Sequence, residues 1–258
     1  MLKAPLVILA GGLGTRLREE TEFRPKPMVE IGGKPIIWHI MKYYSAWGIR
    51  EFIICTGYKG EMIKDYFLNY RTTQSDITLH MGKEESLFVH HAVQEDWKVT
   101  IVDTGPLTPT GGRISKISRY ISEDNFYCTY GDGVANVNIE DLTALHLSSG
   151  SVATITAVKP LSRFGVLDIG DSGRVEKFRE KPRMDTWING GYFVFNRKIF
   201  DVLDDGSTLE QEPLASLSHQ GLLSAYQHDG YWQPMDTLRE AEMLNSDWEN
   251  KKAEWKIW

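Results

Sequence analysis

Apolar residues along this chain fall into two alternating patterns: short unbroken runs, and longer stretches with helical spacing. Leu6 to Ala10 is an unbroken run and predicts a strand. Pro35 to Trp47 follows with Ile36, Ile37, Ile40, Met41 and Tyr44 at helical spacing. Phe52 to Thr56 predicts the next strand, and Glu61 to Tyr70 a helix with Met62, Ile63, Tyr66 and Phe67 on one face. Lys98 to Val102 reads as a strand, Gly112 to Ile121 as a helix with Ile114, Ile117 and Ile121 inward, and Phe126 to Tyr130 as a further strand. Strands alternating with helices predict βαβ units, hence an α/β fold with a mainly parallel sheet flanked by helices.

The second half changes character. Val152 to Val158, Gly165 to Ile169, Val175 to Phe178 and Gly191 to Phe195 are strand-like, and Asp171-Ser172-Gly173 predicts a hairpin turn. A helix at Glu210 to His219, a strand at Ser224 to His228 and a helix at Leu238 to Trp248 complete the pattern. No repeat, low-complexity tract or linker interrupts it. The expectation is one domain over 1–258, with a mixed sheet and a small β extension in its second half. Gln74 to Asp96 has the poorest periodicity and reads equally as a lid, a β arm or an oligomer contact.

A length of 258 residues suits one such domain, and 25% charged residues is ordinary for a soluble protein. The net charge of -6 excludes a nucleic-acid binder that works through bulk electrostatics. It also makes any local cluster of Lys and Arg stand out. Cys55 and Cys128 each sit in an apolar run, and no Cys/His spacing suggests a metal, so both are expected as reduced, packed thiols. The run Leu6 to Ala10 is too short for a signal-peptide core or a membrane span, which predicts a cytoplasmic protein with no membrane partner.

The strongest chemical signal follows the first strand. Leu9-Ala10-Gly11-Gly12-Leu13-Gly14-Thr15-Arg16-Leu17 is followed by Pro25-Lys26-Pro27-Met28. Ligands of open α/β sheets bind at the carboxyl ends of the strands. Glycines there let backbone N–H groups approach an anion closely. Arg16 offers a planar fork for phosphate oxygens, and Lys26 a compact charge between two prolines. The order G-x-G-x-x-G is absent, as is the P-loop ending G-K-[ST].

Together, GGLGTRL and PKPM resemble the signature of the sugar-1-phosphate nucleotidyltransferases. The resemblance runs along nearly the whole chain through Tyr130-Gly131-Asp132-Gly133, Phe164-Gly165-Val166, Glu180-Lys181-Pro182, Ile188-Asn189-Gly190-Gly191-Tyr192-Phe193 and Trp232-Gln233-Pro234-Met235-Asp236-Thr237. It implies a Rossmann-like fold with a nucleotide-binding half (1–150) and a sugar-phosphate-binding half (151–258). It implies nucleotide contacts from Leu9, Ala10, Gly11, Gly12, Gly14, Thr15, Arg16, Lys26, Thr108, Thr110, Arg113, Gly131 and Asp132, with Arg16, Lys26 and Asp132 catalytic. Gly165, Glu180, Lys181, Asn189 and Gly190 would hold the sugar phosphate, and Asp132 and Asp236 would hold Mg2+. The stretch Thr108-Pro109-Thr110-Gly111-Gly112-Arg113 resembles the base-contacting segment of cytidylyl-transferring members. CTP and glucose 1-phosphate are the implied substrates, CDP-glucose and pyrophosphate the products, and a homo-oligomer the implied assembly. Arg113 would donate to the cytosine O2, and a carbonyl near Leu9 to Gly12 would accept from the cytosine amino group.

Plainer readings stand beside these. Asp132 suits a turn, Lys181 a solvated surface, and Asp236 the cap of the helix that follows. His90 and His91 are adjacent, so on a strand they face opposite ways and make a poor metal pair. Trp248, Trp255 and Trp258 are expected to pack on the domain or a neighbouring subunit. The chemistry favours the enzyme. A phosphate monoester has a second pKa of about 6, so the nucleophile is already anionic and needs no general base. What it needs is neutralisation and positioning, which Arg16, Lys26 and Lys181 and two carboxylates from opposite halves of the chain supply. The competing readings are a uridylyl- or thymidylyltransferase, a glycosyltransferase, and a non-catalytic sensor. A glycosyltransferase would often carry Asp-x-Asp, which is absent, and a sensor would tend to lose the charged residues, which are all present.

Overall fold

The computed structural model, which describes residues 2–82, 86–91 and 95–258, places Leu6–Ala10 at the heart of a seven-stranded sheet. Its strands are β1 (Leu6–Ala10), β2 (Glu51–Thr56), β3 (Lys98–Asp103), β4 (Asn125–Tyr130), β5 (Ala153–Val158), β6 (Ile188–Asn196) and β7 (Leu223–His228). They lie in the order β7-β5-β6-β4-β1-β2-β3. Only β6 runs antiparallel to its neighbours, so the sheet is mixed and mainly parallel, as expected. The chain winds outward from β1 to β3 on one side and turns to β4 on the other. That reversal leaves a crevice between the carboxyl ends of β1 and β4, where open α/β sheets take their ligands.

The longer helices are α1 (Ile36–Ala46), α2 (Gly60–Leu68), α3 (Thr110–Lys116), α4 (Ile139–Ser149), α5 (Glu212–His219) and α6 (Leu238–Glu249). Strand β1 is unbroken in apolarity because it faces a core on each side. Leu6, Ile8 and Ala10 pack with α1 and Trp255, whereas Val7 and Leu9 pack with Ile114, Ile117 and Phe193. Cys55 and Cys128 flank β1 on either side as buried free thiols. No helix among the described residues is long and apolar enough to cross a membrane.

Several expectations are corrected. The helix expected over Gly112 to Ile121 starts earlier, after Pro109, and ends at Lys116, with a 3-10 turn at Ser118–Tyr120. Helix α4 was not anticipated. Its inward positions include Thr143, bonded to the Tyr127 hydroxyl (2.9 Å), and His146, bonded to Thr154 Oγ1 (2.8 Å). Polar residues on the buried face erase the hydrophobic period that marks a helix. The remaining signals were its ends, where the Asn138 side chain caps Asp141 N and Gly150 takes a φ of +66°. Asp236 is not a helix cap. Thr237 caps α6, in a reciprocal box with Glu240.

Gln74 to Asp96 contains an exposed antiparallel hairpin, Asp76–His80 with Ser86–His90; the His90 ring bonds Thr78 Oγ1 (2.9 Å). The small β extension is present as a second exposed hairpin, Val166–Ile169 with Val175–Arg179, turning at Gly173.

The aromatic tail packs on the domain, around the buried His39 of α1. The ring centroids of Trp248, Trp255 and Trp258 lie 4.7, 6.1 and 6.3 Å from the imidazole. His39 Nε2 donates to Ile31 O (2.8 Å), which leaves Nδ1 to accept from the Trp255 indole (3.3 Å). That arrangement needs the neutral ring, and burial pushes its pKa from 6.5 down to about 4. The unfolded chain therefore takes up this proton first as pH falls. The stabilisation is full above about pH 6.5 and is lost toward about pH 4. At 1.36 kcal/mol per unit it amounts to roughly 3 kcal/mol. Urea unfolding at neutral pH and near the lower pKa is expected to show this loss, with His39→Gln flattening part of the slope. An unchanged slope in the variant refutes the assignment.

Candidate active site

The site is built from loops that leave the carboxyl ends of β1 and β4. Strand β1 runs into Gly11, and the backbone there cannot carry a side chain. A Cβ on Gly11 would lie 2.0 Å from the Arg113 guanidinium. Farther along, Gly14 has a φ of +63°, and its carbonyl closes a turn with Leu17 N (3.0 Å). The chain then reaches Lys26, which opens a 3-10 turn between Pro25 and Pro27 and is buried.

Asp132 follows β4, held there because Gly131 N donates to Leu9 O (3.0 Å). Asp236 comes from the far end of the chain. The two carboxylates meet through a short antiparallel pair, Gly133–Ala135 with Trp232–Pro234. Asp132 precedes one of these strands and Asp236 follows the other, so both stand at the same end. Met235 N donates to Asp132 O (2.8 Å) and fixes the spacing. The result is a compact charge cluster. Lys26 Nζ donates to Asp132 Oδ2 and to Asp236 Oδ1, each at 2.7 Å. Arg16 lies 2.6 Å from Asp236 Oδ2.

Burial opposes ionisation of Asp236. The Lys26 hydrogen bond and charge, with Arg16 and Arg163 behind them, outweigh it and hold this carboxyl below its ordinary range. Two carboxylates already converge on one cationic nitrogen, which is the donor set that Mg2+ shares with substrate phosphates. Among the described residues, no group of three or more His, Cys, Asp or Glu could hold an ion unaided. Phosphate oxygens would have to complete such a coordination shell.

Arg163 belongs to this cluster and was missed. Its guanidinium lies 3.4 Å from Asp236 Oδ2 and 3.2 Å from Glu240 Oε1. Its only sequence signal was its place directly before Phe164-Gly165. Glu210 was missed as well, and nothing local marks it. It accepts from Thr110 Oγ1 (2.6 Å) and from the Tyr130 hydroxyl, which itself accepts from Asn189 Nδ2 (3.0 Å).

Arg113, expected at the cytosine, also has partners within the protein. Arg113 is buried, and its guanidinium donates to Thr56 O (3.0 Å), Thr104 Oγ1 (2.7 Å), Gly105 O (2.9 Å) and Gly11 O (2.9 Å). It ties the loops after β1, β2 and β3 together. Leu9 O accepts from Gly131 N, Gly11 O from Arg113, and the Thr108 hydroxyl donates to Thr104 O. Gly12 and Thr15 stand exposed beside Arg16.

The sugar-phosphate set is less gathered. Asn189 and Gly190 open β6 beside Tyr130, and the Trp232 indole donates to Gly190 O (2.7 Å). Gly165, Glu180 and Lys181 are exposed at the base of the second hairpin. Lys181 adopts a φ of +46°, and its Nζ lies 3.7 Å from Glu180. Among the described residues no ion pair joins Lys181 to the Lys26 cluster.

Comparison with known proteins locates this arrangement. The family described as nucleotidyl transferase matches residues 6–237. The chain is 55% identical over 255 residues to a glucose-1-phosphate cytidylyltransferase of Salmonella typhi, covering 98% of each chain. It is 32% identical to a D-glycero-alpha-D-manno-heptose 1-phosphate guanylyltransferase of Aneurinibacillus thermoaerophilus, covering 88% of this chain and 90% of that one. In fold it is similar to the crystal structure of HddC from Yersinia pseudotuberculosis, with a TM-score of 0.69 and 25% identity over 95% of this chain and 99% of that one.

Proposed function

Because this chain belongs to the nucleotidyl transferase family, we propose that it transfers CMP from CTP to α-D-glucose 1-phosphate, forming CDP-glucose and pyrophosphate. The observation that carries nucleotidyl transfer is the Lys26 ammonium clamped between Asp132 and Asp236 at the mouth of the β1–β4 crevice. The choice of CTP and glucose rests on the 55% identity to the Salmonella enzyme. We assign residues 1–150 to the nucleotide and 151–258 to the sugar phosphate. Asp236 departs from this division, reaching back from the second half into the first.

A phosphate oxygen of glucose 1-phosphate forms a bond to the α-phosphorus of CTP. The bond from that phosphorus to the bridging oxygen breaks in line, and its electron pair leaves with pyrophosphate. No proton has to move, because the nucleophile is ionised above a pKa of about 6. Arg16 and the backbone amides of the glycine loop hold the β- and γ-phosphates. Lys26 turns from the carboxylates to the α-phosphate, where charge develops. Lys181 receives the sugar phosphate. Asp132 and Asp236 would hold Mg2+, which supplies charge neutralisation between triphosphate and protein when bound. Two reduced thiols and highly charged substrates suit a cytoplasmic enzyme.

Pyrophosphate release measured with each of four NTPs against glucose 1-phosphate tests this reading. CTP is expected to give the highest kcat/KM. A higher value for UTP or dTTP reassigns the chain to a related pyrophosphorylase. A homo-oligomer is part of the same proposal, supported by exposed Leu79, Met81 and Phe88 on the first hairpin and Phe164 and Phe178 beside the second. Light scattering is expected to read a multiple of 29.4 kDa, and a monomer mass at micromolar concentration refutes it.

A further inference from the structure

Glu210 is a carboxylate with two hydroxyl donors and, among the described residues, no ion-pair partner. Its position is constructed. The chain before it docks backbone to backbone on the start of α3, where Gly112 N donates to Ser207 O (2.9 Å). A Cβ on Gly112 would lie 2.3 Å from Asp205 O, and one on Gly111 2.7 Å from Ser207 O, so both glycines are needed for this approach. Thr110 then holds one carboxylate oxygen and Tyr130 the other, while Leu209 N donates to Thr110 Oγ1 (3.0 Å). The residue stays exposed, which leaves lone pairs on both oxygens for a ligand.

We propose that Glu210 accepts a hydrogen bond from the ribose 2′-hydroxyl of the nucleotide and so sets the preference for ribonucleotides. The inference rests on the nucleotidyl-transfer reading of the site. A negative group placed near a triphosphate is repulsive unless it meets a donor, and the substrate offers neutral hydroxyl donors in its two sugars. Tyr130, which anchors Glu210, ends β4 two residues before Asp132. The ribose follows the α-phosphate by one linkage, on the side away from pyrophosphate. Thr110 leads into α3, whose Arg113 organises the glycine loop that receives the nucleotide. Thr110 therefore borders the nucleotide, while Tyr130 stands at the seam of the two halves, its hydroxyl also accepting from Asn189 Nδ2 (3.0 Å). A carboxylate on a ribose hydroxyl is also a recurring solution in dinucleotide-binding sheets.

The test compares kcat/KM for CTP and 2′-deoxy-CTP in wild type, Glu210→Gln and Thr110→Val. A site built around a substrate hydroxyl strongly rejects the analogue that lacks it. Wild type is expected to favour CTP by roughly 10–10²-fold, the usual worth of one hydrogen bond to a charged group. Glu210→Gln is expected to lose most of that ratio through CTP alone, and Thr110→Val part of it. Equal losses for both nucleotides overturn the proposal, because a merely structural role leaves the ratio intact. A parallel arm with 2-deoxyglucose 1-phosphate identifies the other sugar. If its discrimination collapses while the CTP ratio holds, Glu210 serves the hexose and the ribose assignment is wrong. If another ribonucleotide proves to be the substrate, the same pairing with its 2′-deoxy form keeps this test separate from that of the CTP assignment. A wild-type preference for a deoxynucleotide overturns the proposal outright.

Discussion

Replacing Lys26 with alanine lowers kcat by about 10²–10³-fold, the usual cost of removing one preorganised donor from a developing charge. The site explains why this lysine and not its counterpart carries the effect. Lys26 is buried between prolines and is held by two carboxylates at 2.7 Å, so its ammonium is placed before substrate arrives. Lys181 is exposed, with only Glu180 as an ion-pair neighbour among the described residues. Lys181→Ala should therefore raise the KM for glucose 1-phosphate and leave kcat and the KM for CTP nearly unchanged, because lost ground-state binding shows in KM. A second readout separates electrostatics from misfolding. Without nucleotide, Lys26→Ala leaves Asp132 and Asp236 without their shared cation, so Mn2+ should bind the variant more tightly than wild type. Steady-state kinetics in each substrate, with Mn2+ titration followed by electron paramagnetic resonance, check both halves. A kcat within threefold of wild type ends the assignment of Lys26 to the α-phosphate. Equal effects of Lys181→Ala on both substrates end the division of the site into halves.

Chelation with EDTA should abolish turnover, and Asp132→Asn or Asp236→Asn should each lower it by orders of magnitude. Asparagine keeps the shape of either side chain while removing its charge. Position matters here. The two carboxylates stand at the same end of the pair Gly133–Ala135 and Trp232–Pro234, and no third His, Cys, Asp or Glu joins them among the described residues. A site of only two protein ligands depends on both. The variants should remain folded. Met235 N still donates to Asp132 O, and α6 keeps its cap through Thr237 and Glu240. Circular dichroism beside the activity assay checks this. Full activity of purified protein in excess EDTA would sink the metal assignment, as would an Asp132→Asn variant that turns over normally.

The local signals in the chain determined the sheet and the loop on its crest. Leu6–Ala10, Glu51–Thr56 and Asn125–Tyr130 are buried strands whose apolarity is unbroken or nearly so, and an apolar run reports burial wherever it ends up. Gly11, Gly14 and the prolines around Lys26 are constraints on the backbone of their own neighbourhood, so they too are visible in one dimension. Helix α4 escaped because Thr143 and His146 satisfy their polarity through partners on other elements, which no periodicity records. The tie that Arg113 makes between loops and the place of Glu210 both went unread, for one shared reason. A polar side chain is defined by what it bonds, and these partners lie as far as 102 and 100 residues away. The clamp of Lys26 on Asp236 spans 210 residues. Such pairings exist only once the strand order brings β1, β4 and the Trp232–Pro234 segment to one edge, and that order is decided by the packing of two cores against a single sheet.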